Sequence, residues 1–325
     1  MGATESKAEP VSETVADSPY EKAVKLIENH ITKNKTNITF DIKGLKELPP
    51  IPERFTRVSV YRDLEVFPRL HNGISYLFLH SCNIPEIDTT LVPKNIEFLQ
   101  IKNCQVQEIK GDFSTFKQLH NLNTSYNHLS SIPELPKNIL AFDCSGNQLT
   151  SLPNLPDSLH TLECGNNPLN SLPELPKNLE SLICNNNQLT SLELPKNLYD
   201  LNCSDNQLTS LPKLPNSLDY LGCDDNQLTS LPKLPKNLKT LSCNNNQLTS
   251  LPKLPEGMVA LYAYNNKLTS LPKIPKSMLI LNIYENNIDL ETIPSVTKEI
   301  LCDKFVYETC LLERYENFIT NHSTL

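Results

Sequence analysis

The stretch LSCNNNQLTSLPKLP at 241–255 nearly copies LGCDDNQLTSLPKLP at 221–235. A unit of this size cannot bury its own apolar face. Copies at a fixed period therefore stack, each against its neighbours, around one continuous core. Aligned on leucine, the copies fit a frame LxxLxCxxNQLTSLPxLPxx that starts at Leu159, Leu179, Leu198, Leu218, Leu238 and Met258. Weaker copies start upstream at Ile139, Leu119, Ile96, Ile74 and Phe55, with a first strand in NITFDIK, and downstream at Met278. Spacings stay between 19 and 23 residues, which makes thirteen coils over 35–297. At roughly 4.8 Å per strand such a stack runs about 60 Å.

Alternation at frame positions 4 and 6, as in Leu201 and Cys203, predicts a short strand that turns these side chains inward, with positions 3, 5 and 7 facing out. Position 9 is Asn127, Asn147, Asn167, Asn187, Asn206, Asn226, Asn246 and Asn266. Their stacked amides can pair backbone groups that the turn leaves without partners. The LPxLP return path forbids a helix and favours polyproline-like geometry, which sends Leu211 and Leu214 to the core. The expected fold is an α/β repeat solenoid, a right-handed coil with a concave parallel sheet and a polyproline-like convex side that leaves no room for an outer helix.

Both ends of a stack need a lid. In SPYEKAVKLIENHITK, Ser18 and Glu21 form a capping box and Pro19 takes the first helical position, predicting a capping helix within 18–34. Tyr20, Val24, Ile27 and Ile31 are expected on its apolar face. A C-terminal cap is expected over 298–325, with Val306, Cys310, Leu311, Tyr315 and Phe318 on one side of a short helix. Residues 1–17 read as a disordered tail.

Cys144, Cys164, Cys184, Cys203, Cys223 and Cys243 all occupy position 6, which elsewhere holds Phe40, Val60, Leu79, Ile101 and Ile283. Exchange with aliphatic side chains identifies small buried core groups. A ladder of parallel side chains cannot gather four sulfurs around zinc, and thiols pointing the same way make poor disulfides. The scattered histidines share no metal geometry, and no phosphate loop, dinucleotide fingerprint or nucleophile elbow occurs. No catalytic residue and no cofactor is expected.

Position by position, the array presents a surface instead. Asp143, Glu163, Glu180, Asp200, Asp205, Asp219, Asp224 and Asp225 collect on the outward concave positions between Ile139 and Asn237. Such carboxylates can be a solvated face, attract a basic protein segment, or hold calcium, for which oxygen ligands alone are not enough. The formal net charge of -8 disfavours a nucleic-acid binder and points to a basic protein partner. Tyr262, Tyr264 and Tyr284, with Ile280, are expected to cluster at the C-terminal end of the sheet, and Tyr61, Tyr76, Phe78 and Phe98 at the other. Exposed tyrosines beside an acidic rim resemble interface hot spots, although β-propensity alone also places aromatics in strands. Lys213, Lys233, Lys253 and Lys273 recur at position 16 on the outer side.

The chain carries no apolar run long enough for a membrane span and no signal-peptide core at its start, so a cytoplasmic setting is expected, in which ten cysteines remain thiols. MGATES satisfies the myristoylation pattern and makes Gly2 a candidate lipidation site, giving at most weak, reversible membrane contact because no polybasic segment follows.

The run NQLTSLPxLPxxLxxL resembles the short bacterial-type leucine-rich repeats of secreted effectors of the YopM and IpaH kind, and similar arrays in large DNA viruses of protists. The resemblance covers about 35–297. In the IpaH branch it implies a C-terminal ubiquitin-ligase domain with a Cys-x-Asp motif. Here only some 28 residues follow the array, and Cys302 is followed directly by Asp303. Cysteine at position 6 also departs from the aliphatic residue usual in the effectors. What the resemblance implies is a non-enzymatic, monomeric interaction scaffold that holds a protein on its concave face, or else the substrate-recognition arm of a ubiquitin ligase or other enzyme supplied in trans. For an effector or viral protein the setting is the host cytoplasm.

Overall fold

The computed structural model describes residues 17–288. Gly2, the tail expected over 1–17 apart from Asp17, the last residues of the array and the C-terminal cap lie outside the described residues. The chain opens with helix α1 (Pro19–Thr32), where the Ser18 hydroxyl accepts from the Glu21 N–H at 3.2 Å and the Glu21 carboxylate accepts from the Ser18 N–H at 2.8 Å. Its buried face differs from the expected one. Ala23 and Ile27 are buried, with Leu26 packed beside them, whereas Tyr20 and Ile31 remain exposed. The helix covers a single coil end, so only the residues directly over that coil meet it.

Thirteen short strands then form one parallel sheet in the order of the coils. They are β1 (Asn37–Phe40), β2 (Arg57–Val60), β3 (Tyr76–His80), β5 (Phe98–Lys102), β7 (Asn121–Asn123), β8 (Ala141–Asp143), β9 (Thr161–Glu163), β10 (Ser181–Ile183), β11 (Asp200–Asn202), β12 (Tyr220–Gly222), β13 (Thr240–Ser242), β14 (Ala260–Tyr262) and β15 (Ile280–Asn282). Register keeps each frame position over its copy: Leu201 pairs with Leu182 and Leu221, and Leu241 with Leu261. The protein is a parallel leucine-rich-repeat solenoid whose apolar positions 1, 4, 6 and 11 line the core, with the return-path leucines Leu211, Leu214, Leu251 and Leu254 buried behind them.

Two features stand beyond the expected plan. The coils starting at Ile74 and Ile96 are 22 and 23 residues long. Their extra length forms a second, outer sheet of two parallel strands, β4 (Glu86–Asp88) and β6 (Glu108–Lys110), and a single 3-10 turn at Thr89–Leu91. Second, position 8 adopts a left-handed backbone in coil after coil, at Asn166, Asn186, Asp205, Asp225, Asn245 and Asn265, with φ between 50° and 55°. Asn and Asp tolerate that conformation better than other side chains bearing a Cβ, and Gly146 takes it without one.

The asparagine of position 9 ties each coil to the one before it. Asn206 donates from its amide nitrogen to the Cys184 carbonyl of the preceding coil at 3.0 Å and to Cys203 and Ser204 of its own. Its carbonyl oxygen accepts from the Leu189 N–H at 2.9 Å. Asn147, Asn167, Asn187, Asn226, Asn246 and Asn266 repeat the pattern. The six ladder cysteines are wholly buried, and several bridge coils as well: the thiols of Cys203, Cys223 and Cys243 donate to Gly222, Ser242 and Tyr262 of the next coil. Burial pushes all six thiols well above their ordinary pKa.

Asn206→Ala strips a buried N–H and buried carbonyls of their partner, so denaturant unfolding should show a loss of about 1–3 kcal/mol. The exposed neighbour substitution Gln207→Ala should stay within about 0.5 kcal/mol; equal effects would remove the amide ladder from its role. With Cys302 and Cys310 replaced by Ser, a thiol reagent should label the native protein far more slowly than the denatured chain. Six native equivalents reacting at the denatured rate would contradict the burial of the ladder.

Candidate functional site: the concave face

Coil geometry distributes the eight acidic residues over three rows. Glu180 and Asp219 occupy position 2, on the rim before the strands; Asp143, Glu163 and Asp200 stand on strands β8, β9 and β11; Asp205, Asp224 and Asp225 follow the strands on the opposite rim. They are unevenly spread, with Glu180 alone on the coil between the Asp143–Glu163 pair and the group that begins at Asp200. Asp143 lies directly across from Glu163 in the register of β8 and β9, and the β10 coil intervenes with Ser181 and Ile183 at the matching positions. Beyond it, Asp200, Asp205, Asp219, Asp224 and Asp225 share two successive coils.

The Asp143 carboxylate accepts from Asn123 Nδ2 at 2.8 Å and from the Ser145 N–H at 2.9 Å, which fixes it. Glu163, mostly buried beside that charge, is pushed up to about 7, by burial first and by Asp143 second. Asp224 is held across coils: its carboxylate accepts from the Ser242 hydroxyl at 2.7 Å and the Asn244 N–H at 2.6 Å, and its own N–H donates to Ser204 Oγ at 3.1 Å. Burial raises it to about 6 against the pull of those hydrogen bonds. Burial and the Asp225 charge also raise Asp205. Among the described residues no group of His, Cys, Asp and Glu is arranged to hold a metal ion.

The tyrosines are placed at the C-terminal end. Tyr262 stands on β14 between Ser242 and Asn282 of the neighbouring strands, and the Tyr264 hydroxyl accepts from Asn245 Nδ2 at 3.0 Å. Tyr284 is 46% exposed and Leu279, on the rim before β15, is 70% exposed. At the other end the aromatics stack on one another. Phe78 and Phe98 rings lie 5.0 Å apart, Tyr61 and His80 5.3 Å apart, and the Arg57 guanidinium sits 4.5 Å over Tyr76. That end is therefore aromatic and cationic, with Tyr76 donating to Glu97 at 3.1 Å. Two exposed apolar side chains beside the carboxylates escaped the sequence reading. Leu140 and Tyr199, at position 2, line the rim next to the acidic coils. Their frame position was the available signal, since it lies just outside the strand alternation.

Glu163 has a folded pKa near 7 against an ordinary 4.5, so the fold favours its protonated form. The stability this contributes is full below the unfolded value and is lost as pH rises through about 7. Glu163→Gln should therefore be more stable than the wild type by about 2 kcal/mol near pH 8, with the gap closing near pH 5, as read from denaturant midpoints. No gap at the higher pH would mean that the carboxylate is solvated.

Comparison with known proteins supports the same architecture. No protein-family model matches the chain, and no curated relative matches it at a significant level. Among solved structures, YopM from Yersinia enterocolitica WA-314 superposes with a TM-score of 0.61 at 29% identity, over 87% of this chain and 72% of that one. YopM from Yersinia pestis, described as a leucine-rich effector protein, gives 0.53 at 25% identity, over 83% of this chain and 93% of that one. The leucine-rich-repeat domain of APL1B shares the fold at 16% identity, with a TM-score of 0.69 over 92% of this chain and 94% of that one. No helix among the described residues is long and apolar enough to cross a membrane. The chain is a leucine-rich-repeat protein similar in structure to YopM.

Proposed function

We propose that the protein is a non-enzymatic scaffold whose concave sheet receives a basic segment of a partner protein. The observation that carries this reading is charge: on the outward positions of the coils from Ile139 to Asn237 stand eight carboxylates and neither lysine nor arginine. A rigid, hydrogen-bonded solenoid presents such a face with little ordering cost on binding. Tyr262, Tyr264 and Tyr284 supply the apolar contacts at one end, and Leu140 and Tyr199 supply them along the acidic rim. The raised pKa of Glu163 and Asp224 belongs to the same picture, because an incoming cation would favour their ionised forms. A cytoplasmic setting completes the proposal and suits eight described cysteines that are all free thiols.

The eight carboxylates are not equivalent as test sites. Asp224 and Asp143 hold coils together, whereas Glu180, Asp205 and Asp225 are exposed. Asp205→Asn and Asp225→Asn keep a side chain that other coils already place in the same left-handed turn. Combined with Glu180→Gln, they should weaken an isolated basic partner by about tenfold and flatten the salt dependence of binding. Affinity and salt slope identical to the wild type would dismiss the acidic face as the docking surface.

A further inference from the structure

In the coils that start at Ile74 and Ile96, position 9 holds Cys82 and Cys104 where the later coils hold an amide. From Asn127 onward that amide bonds the preceding coil. A thiol carries one weak donor and cannot serve two coils in the same way. The backbones of the two cysteines are nevertheless held side by side. β3 and β5 stay in register up to His80 and Lys102, two residues before each cysteine. Ser81 and Asn103 then repeat the left-handed turn, with φ of 51° and 54°. On one side of the pair the Ser81 N–H donates to the Lys102 carbonyl at 3.1 Å, and on the other the Ile84 N–H donates to the Cys104 carbonyl at 2.9 Å. Neighbouring strands lie about 4.8 Å apart, inside the Cα separation that a disulfide spans.

This pair differs from the thiols of position 6. Cys203, Cys223 and Cys243 each turn to a carbonyl of the next coil. Cys82 and Cys104 turn to each other, and a hydrogen bond joins their sulfurs with Cys104 as its donor. That bond lowers the pKa of Cys82 and raises that of Cys104, whereas burial raises all six ladder thiols. The thiolate is the nucleophilic form, so Cys82 is the attacking sulfur of the two. Among the described cysteines it is also the one with any exposure, 3% against 0% for the rest.

We propose that Cys82 and Cys104 are a site of reversible oxidation, at which hydrogen peroxide closes a disulfide that ties the two long coils together. The Cys82 thiolate attacks one peroxide oxygen. The O–O bond breaks, the departing hydroxide takes up a proton to become water, and Cys82 is left as a sulfenic acid. Cys104, giving up its proton, attacks that sulfur; the S–O bond breaks and a second water leaves. Two thiols thus lose two electrons and two protons, and one peroxide becomes two waters. The bridge takes the place of the amide tie that position 9 supplies in later coils, and a reducing thiol such as glutathione reopens it by exchange. Disulfides of a reducing compartment are usually of this transient kind. The coils it joins carry the stacked Phe78 and Phe98 of the concave sheet, but the inference does not depend on a partner there.

The test uses the full chain with Cys302→Ser and Cys310→Ser, exposed under native conditions to a small excess of hydrogen peroxide. Intact mass should fall by about 2 Da. Trypsin should then release peptides 70–94 and 103–110 joined to each other, while the six ladder thiols remain titratable after denaturation. Dithiothreitol should restore the starting mass. The oxidised protein should unfold at a higher denaturant concentration than the reduced one, because the bridge restricts the unfolded chain. Cys104→Ser should carry a sulfenic acid at Cys82 instead, captured by a 1,3-dione, and should show no shift in its midpoint. Failure of the two peptides to join before denaturation overturns the proposal. So does a bridge among the ladder cysteines that forms as readily, a bridge that leaves the midpoint unchanged, or an equal shift in Cys104→Ser.

Discussion

The buried amide at position 9 is the interaction on which the solenoid depends. A strand of three residues makes few ladder bonds, and the turn that follows it leaves main-chain groups inside the core. Asn167 resolves both problems at once, accepting from the Leu149 N–H and donating to Cys144, Cys164 and Gly165. Because the oxygen bonds the preceding coil and the amide nitrogen bonds both that coil and its own, the bonds fix the spacing between coils as well as the shape of each. The first four coils depart from the rule, with Lys43, Asp63, Cys82 and Cys104 in place of the asparagine. The Cys82 and Cys104 thiols donate to His80 and Lys102 of their own coils, and the two also interact with each other across the coils. These are the two long coils. There the outer sheet adds bonds between coils, and the Cys104 N–H joins the Val106 N–H in donating to Asn127 of the following coil.

A turn geometry repeated in every coil also shapes the chemistry of the surface. Position 8 needs a residue at ease with positive φ, and Asp205 and Asp225 satisfy that need as well as asparagine does. Their charge, by contrast, serves no turn. Burial first, and then the Asp225 carboxylate that stacking brings beside it, raise the pKa of Asp205, an unfavourable arrangement that asparagine would avoid. Glu163 across from Asp143 poses the same cost in a drier place. In the proposed reading a basic partner would relieve this cost by supplying the opposite charge.

The concave side presents charge on a wide sheet, and in the proposed reading specificity would come from the spacing of carboxylates over successive coils.

Period, strand and core were legible in the sequence because every coil meets the same environment: Leu201, Cys203, Asn206 and Leu208 face what their copies face one coil on. The capping box at Ser18 was equally local, since four consecutive residues complete it. Repetition carried no information about places where neighbouring coils differ. The exposed Tyr20 and Ile31 depend on how little of α1 a single coil end can cover. The outer strands β4 and β6 depend on a length difference between adjacent coils. The distinct duties of Asp224, bonded across coils, and of Asp225, exposed beside it, also arise only on stacking. Sequence by itself determined what each coil is, because that follows from side-chain chemistry at a fixed period; tertiary structure alone decided what the coils make together, because contacts between unlike neighbours exist only once they are stacked.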